Sequence, residues 1–176
     1  MTAKFNKLFF IILASVFLSS PILADDVKLD APNIQNPVPN VYTGGQPSLN
    51  DINSLKEKGF TMVVNLRGQG EFDKFDERAA VETAGLTYIS IPFKGMRGLT
   101  MANAAKLHNA LEGDNGMRAG KVLLHCTIGM RAGGLLGLDS YFFHGLTKDQ
   151  AIQLAVDAHM ENNRDYVTKG YKDLRK

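Results

Sequence analysis

From residue 48 onward the apolar positions of the chain switch repeatedly between two periods. Leu49, Ile52 and Leu55 recur at helical spacing behind Ser48, with Asp51 at the third helical position and Gly59 closing the segment. A hydroxyl cap with an acceptor three residues on is the pattern of a helix start. Phe60 to Leu66 is a short β-rich run that predicts a strand. Phe72 to Ala84 reads as a helix ended by Gly85, Leu86 to Ile91 as a strand ended by Pro92, and Thr100 to Leu111 as a helix. Gly113 to Gly116 is a turn into the strand Lys121 to His125, and a further helix runs from about Gly129 to Phe143 and stops at Gly145. Thr147 and Gln150 form a second capping box that opens a helix to about Met160, and a short polar helix starts at Arg164. This alternation predicts an α/β fold: a mostly parallel central sheet with helices on both faces and a functional site at the C-terminal edge of the strands.

The residues before this pattern have a different character. Met1 to Ala24 carries Lys4 and Lys7, then an apolar stretch from Leu8 to Leu18 too short to span a bilayer, then Ala24 ahead of two aspartates. This predicts a secretory signal, with an uncleaved N-terminal anchor as the competing reading, and places the mature protein across the inner membrane, in a bacterial periplasm. Asp25 to Asn40 is polar and holds Pro32, Pro37 and Pro39, so it reads as an extended lead-in to a single domain over residues 41–176. The whole chain has 20 Lys and Arg against 18 Asp and Glu. Cleavage removes two of the lysines and leaves no net charge, which gives no electrostatic case for binding nucleic acid or, once the signal is gone, a membrane.

The chemistry concentrates in one segment. The chain has a single cysteine, within His125-Cys126-Thr127-Ile128-Gly129-Met130-Arg131, between a predicted strand and a predicted helix. Amides at a helix start point outward and carry partial positive charge, so a loop wrapped over that end forms a cup for an anion, and a thiolate is such an anion. A lone cysteine cannot form an internal disulfide, and a free thiol in an oxidising compartment points to reactivity. No second cysteine exists and the histidines lie scattered at 108, 125, 144 and 159, so the spacing carries no metal signature and implies no cofactor.

The His-Cys-loop-Gly-x-Arg segment resembles the phosphate-binding loop of tyrosine and dual-specificity phosphatases. With Gly44-Gly45-Gln46-Pro47-Ser48, Asn65-Leu66-Arg67 and Tyr88-Ile89-Ser90-Ile91-Pro92 ahead of it, the chain over roughly residues 40–160 is most similar to the phosphatase-like domain of beta-lactamase hydrolase-like proteins. The resemblance implies a tyrosine/dual-specificity-phosphatase-like fold. In it Cys126 is the nucleophile, Arg131 grips two substrate oxygens with its planar fork, and the amides of Thr127, Ile128, Gly129 and Met130 complete the cradle. His125 either tunes the thiol through the loop or is a strand-end histidine bonded to a nearby carbonyl.

Three departures from the phosphatase pattern matter. Four residues separate Cys126 from Arg131 where those phosphatases have five, a length that resembles the sulfurtransferases of rhodanese type. Ala132 stands where a hydroxyl usually follows the arginine. Residues 93–99 contain no carboxylate to protonate a leaving group, which leaves Glu71 and Asp73 as the nearest replacements by topology and Lys94 and Arg97 as charges that could draw an anion to the mouth. Three functions therefore stay open: a cysteine-dependent phosphoester hydrolase acting on a small anionic substrate or a phosphoprotein, a sulfurtransferase passing sulfane sulfur from a donor to a thiol acceptor, and a non-catalytic anion- or protein-binding module.

Overall fold

The computed structural model describes residues 27–71, 74–113, 120–158 and 164–171. Five strands form one sheet in the order β1-β2-β5-β3-β4, where β1 is Gln35–Val38, β2 Val41–Gly44, β3 Phe60–Asn65, β4 Thr87–Ser90 and β5 Lys121–His125. All neighbours pair in parallel except β1, which returns on β2 as an antiparallel edge. The predicted mostly parallel sheet is the one observed. Strand β5 takes the central position because its Val122-Leu123-Leu124 run is apolar on both faces, as a strand covered on both sides must be.

Alternate residues of the two inner strands feed two separate cores. Val63 and Leu123 point to the side covered by α1 (Leu49–Leu55) and α2 (Glu77–Thr83), where they meet Ile52, Leu55 and Val81. Met62, Val64, Val122 and Leu124 point to the side covered by α3 (Met101–Glu112), α4 (Met130–Phe143), α5 (Lys148–Asp157) and α6 (Arg164–Gly170). Helix α4 is buried along most of its length, and its small residues let α5 approach: a Cβ on Gly137 would lie 2.6 Å from the Ala151 carbonyl oxygen. Tyr171, next after α6, donates to the Gly134 carbonyl at 2.5 Å and ties this segment to α4.

The capping boxes at Ser48/Asp51 and Thr147/Gln150 form as predicted. Two expectations need correction. The lead-in is part of the folded domain: β1 belongs to the sheet, turning at Asn40 with φ 61°, and the Asp30 amide donates to the buried Asp51 carboxylate at 2.7 Å. Helix α2 starts at Glu77 rather than Phe72, because the Asp76 side chain accepts from the Ala79 amide and fixes the first turn there. Phe72, Asp73 and the predicted signal over residues 1–24 lie outside the described residues, as do Met160 and residues 114–116 of the predicted turn. Among the described residues no helix is long and apolar enough to cross a membrane.

Candidate active site

The central strand β5 delivers Cys126 to the middle of the sheet's C-terminal edge. The Cys126 amide donates to Gly44 O at 3.2 Å and the Leu66 amide to His125 O at 3.0 Å, so both flanking strands hold the point where the chain leaves the sheet. The following loop is tied down on its far side: the Gln46 amide donates to Thr127 O at 3.2 Å and Asn33 Nδ2 to Ile128 O at 3.0 Å. Gly129 then turns the chain into α4 with φ 100°, a left-handed conformation that costs a residue with a Cβ. Its amide donates to Cys126 Sγ at 3.2 Å, and no side chain caps the helix. The sulfur of the buried Cys126 therefore sits at the positive end of a helix of 14 residues.

Arg131, on the first turn of α4, is held on several sides. Its Nη1 donates to Leu66 O at 3.1 Å, to Phe93 O at 2.7 Å and to Glu71 Oε1 at 3.0 Å, while Nη2 donates to Glu71 Oε2 at 2.5 Å and Thr127 Oγ1 at 3.1 Å. The guanidinium also interacts with the Cys126 sulfur, and together with Glu71 this raises its pKa against the opposing effect of burial. The hydrogen bonds from Arg131 are the main reason the Glu71 carboxyl falls from its ordinary 4.5 to about 2; the Gly68 amide adds to this, and partial burial opposes it. Glu71 thus meets Arg131 as an ionised carboxylate that accepts from both guanidinium nitrogens and holds the arginine in place.

Behind the loop lies a buried polar network that sequence reasoning missed. His125 Nε2 is 2.8 Å from Glu77 Oε1, while Gln46 Nε2 at 2.6 Å and Arg67 Nη2 at 2.5 Å donate to Glu77 Oε2. Burial pushes the Glu77 carboxyl up, and His125, Gln46 and Arg67 together hold it below its ordinary range. His125 Nδ1 lies 3.3 Å from the Cys126 carbonyl oxygen, which joins this network to the cysteine's own backbone. Asn65 Oδ1 accepts from the Arg67 amide at 2.8 Å, and Asn65 Nδ2 donates to the Tyr88 hydroxyl at 2.8 Å. Gln46, Arg67 and His125, one from each of three of the quoted motifs, thus converge on one carboxylate at the first position of α2. The only hint of Glu77 in the sequence was the need of a buried Arg67 and His125 for a common anion.

A pocket of about 350 Å³ opens over the sulfur, lined by Glu71, Lys94, Gly95, Cys126, Thr127, Ile128, Met130 and Arg131. Lys94 is among its lining residues. Arg97, exposed on the short 3-10 turn Met96–Gly98, is not among the lining residues, and Asp73 lies outside the described residues. Among the described residues Glu71 is the one carboxylate that lines this pocket.

These features define an α/β domain of tyrosine-phosphatase-like fold with a cysteine-arginine loop at its sheet edge. Solved structures with that fold include two putative phosphatases. The one from Shewanella putrefaciens CN-32 (DUF442) gives a TM-score of 0.63 at 20% identity, over 81% of this chain and 93% of that one. The one from Neisseria meningitidis Z2491 gives 0.59 at 20% identity, over 78% and 97%. TpbA of P. aeruginosa, in complex with pTyr, gives 0.60 at 20% identity, over 78% and 81%. By sequence, the chain is 30% identical over 119 residues to the beta-lactamase hydrolase-like protein of Xylella fastidiosa. That stretch takes in 65% of this chain and 26% of the relative, so the chain spans about a quarter of the length of the curated relatives it matches. No family model matches the chain.

Proposed function

We propose that the protein is an exported cysteine-dependent hydrolase of phosphate monoesters with good leaving groups, aryl phosphates such as phosphotyrosine foremost. The observation that carries this reading is the placement of Cys126 Sγ under the Gly129 amide, beside Arg131 and below an open pocket. The sulfur attacks phosphorus, the P–O bond to the leaving group breaks with its electron pair on oxygen, and water then cleaves the S–P bond to release phosphate. The loop amides and Arg131 stabilise the charge on the transferring group. Because Glu71 is ionised and held by Arg131, the leaving oxygen departs without a proton from it, which favours phenols over alkyl alcohols. The pTyr complex of TpbA, a protein of the same fold, supports this substrate class. The signal-like segment over residues 1–24 supports export.

The second reading is sulfur transfer, and the four-residue loop favours it, as does a pocket whose one lining carboxylate among the described residues, Glu71, is ionised. The Cys126 thiolate would take the outer sulfur of thiosulfate, release sulfite and hold a persulfide for a thiol acceptor. Mass spectrometry after separate incubation with an aryl phosphate and with thiosulfate discriminates between the two. Aryl-phosphate hydrolysis abolished in Cys126→Ser, with alkyl phosphates cleaved far more slowly, is the expected result. A gain of about 32 Da, one sulfur atom, that passes to cyanide faster than aryl phosphate is hydrolysed makes the protein a sulfurtransferase. Neither reaction in a folded sample leaves a binding module.

A further inference from the structure

The opposite end of α4 carries a second cluster of titratable groups that the chemistry at Cys126 does not use. His108 and Glu112 are one helical turn apart on α3, and His144 follows the last residue of α4. Packing α3 against α4 brings them together: each offers one ligand atom, and these atoms lie within 4.8 Å of one another. Buried Asp139 sits against both imidazoles, with Oδ1 3.2 Å from His108 Nδ1 and Oδ2 3.1 Å from His144 Nε2.

Two further observations point to a ligand. The Asp139 Oδ1 and His108 Nδ1 atoms lie at ion-pair distance without the alignment of a hydrogen bond, so among the described residues each is a buried polar atom whose hydrogen-bonding capacity is unmet. A buried acceptor left in that state is costly unless a cation or donor completes it. The cluster also has access to solvent, because Glu112, Asp139 and His144 line a separate pocket of about 370 Å³.

We propose that His108, Glu112 and His144 form a binding site for a divalent transition-metal ion, zinc foremost, with Asp139 as its buried counter-charge. Two imidazole nitrogens select a borderline ion such as Zn²⁺ over Mg²⁺ or Ca²⁺, which prefer all-oxygen shells. The two carboxylates match its charge. Three protein ligands leave a fourth position facing the pocket for water or a small anion. Stacking of His108 on Phe143, with ring centroids 4.3 Å apart, fixes that ring before any ion arrives. At a rise of 1.5 Å per residue, α4 separates the site from the Cys126 loop by about 20 Å, so the ion would clip the ends of α3 and α4 together and stand apart from the thiol chemistry.

Titration of the chelator-treated protein with Zn²⁺ and with Mg²⁺, followed by calorimetry and thermal unfolding, tests this. Cys126→Ser serves as the background so that the thiol cannot contribute. The expected result is one Zn²⁺ per chain with Kd at or below about 10 µM, a raised Tm, and no Mg²⁺ binding. Binding should weaken at least about tenfold in Glu112→Gln and be lost in His144→Asn. Both side chains are partly exposed, so the variants keep the fold, and far-UV circular dichroism checks this. No saturable Zn²⁺ binding, or binding unchanged in both variants, overturns the proposal. Binding by the wild type that disappears in Cys126→Ser assigns the ion to the thiol and overturns it equally.

Discussion

Replacing Glu71 by glutamine tests whether this residue holds Arg131 or delivers a proton. In the wild type both carboxylate oxygens receive guanidinium hydrogen bonds, and the carboxyl is drawn from 4.5 to about 2. A shift of that size corresponds to about 3 kcal/mol of preference for the ionised form in the folded state. Water reaching the open pocket screens the pair, and about 1–2 kcal/mol is the discounted expectation. Because the folded-state pKa is depressed, this stability is present above pH 4.5 and is lost as the pH falls toward 2. Urea unfolding of wild type and Glu71→Gln should differ by about 1–2 kcal/mol at pH 7, by roughly half of that or less at pH 3, and converge only near pH 2, where the folded-state carboxyl itself protonates. In activity, loss of arginine positioning should slow aryl and alkyl phosphates by similar factors. A stability gap that is the same at pH 7 and pH 3 would refute the ion-pair reasoning. Selective loss on alkyl phosphates would show that Glu71 acts as an acid after all.

Three further outcomes follow from the same geometry. Glu77→Gln should destabilise the protein by about 3 kcal/mol or more, since it leaves Arg67 and His125 buried without their anion; chemical denaturation measures this, and a change under 1 kcal/mol would mean that the network contributes little. Because the Glu77 carboxyl is held low, its contribution is present above the ordinary carboxylate range and disappears as the pH falls through its folded value. Arg131→Lys should remove most turnover of any anionic substrate, because an ammonium cannot span Leu66 O, Phe93 O and Glu71 together, and steady-state rates near wild type would contradict that. Gly129→Ala should cost about 1–2 kcal/mol from its φ of 100° and lower activity by moving the amide that meets Cys126 Sγ; a thermal scan showing no loss would remove the strain argument.

The sequence by itself was enough for the architecture and for the loop. Periodicity separated Phe60–Asn65 and Lys121–His125 from the helices around them, and the capping boxes at Ser48 and Thr147 placed two helix starts, because these signals are local and each is satisfied within a few residues of chain. The strand-loop-helix course through Cys126 and Arg131 was legible for the same reason, since it lies in one continuous segment. Tertiary structure decided which distant groups share a charge. Glu71 and Arg131 are 60 residues apart, and Glu77 and His125 are 48 apart. Strand order alone brings each pair to one sheet edge, so the pairing of Glu71 with Arg131 could not be read from the chain. The lead-in is similar: its prolines signal extended chain, but only pairing with β2 makes residues 35–38 a strand. His108 and His144 look scattered along the chain, and they meet because α3 packs on α4 and Asp139 stands buried between them. Side-chain ionisation depends on distances of a few ångströms between elements, and no local pattern in a sequence encodes those distances.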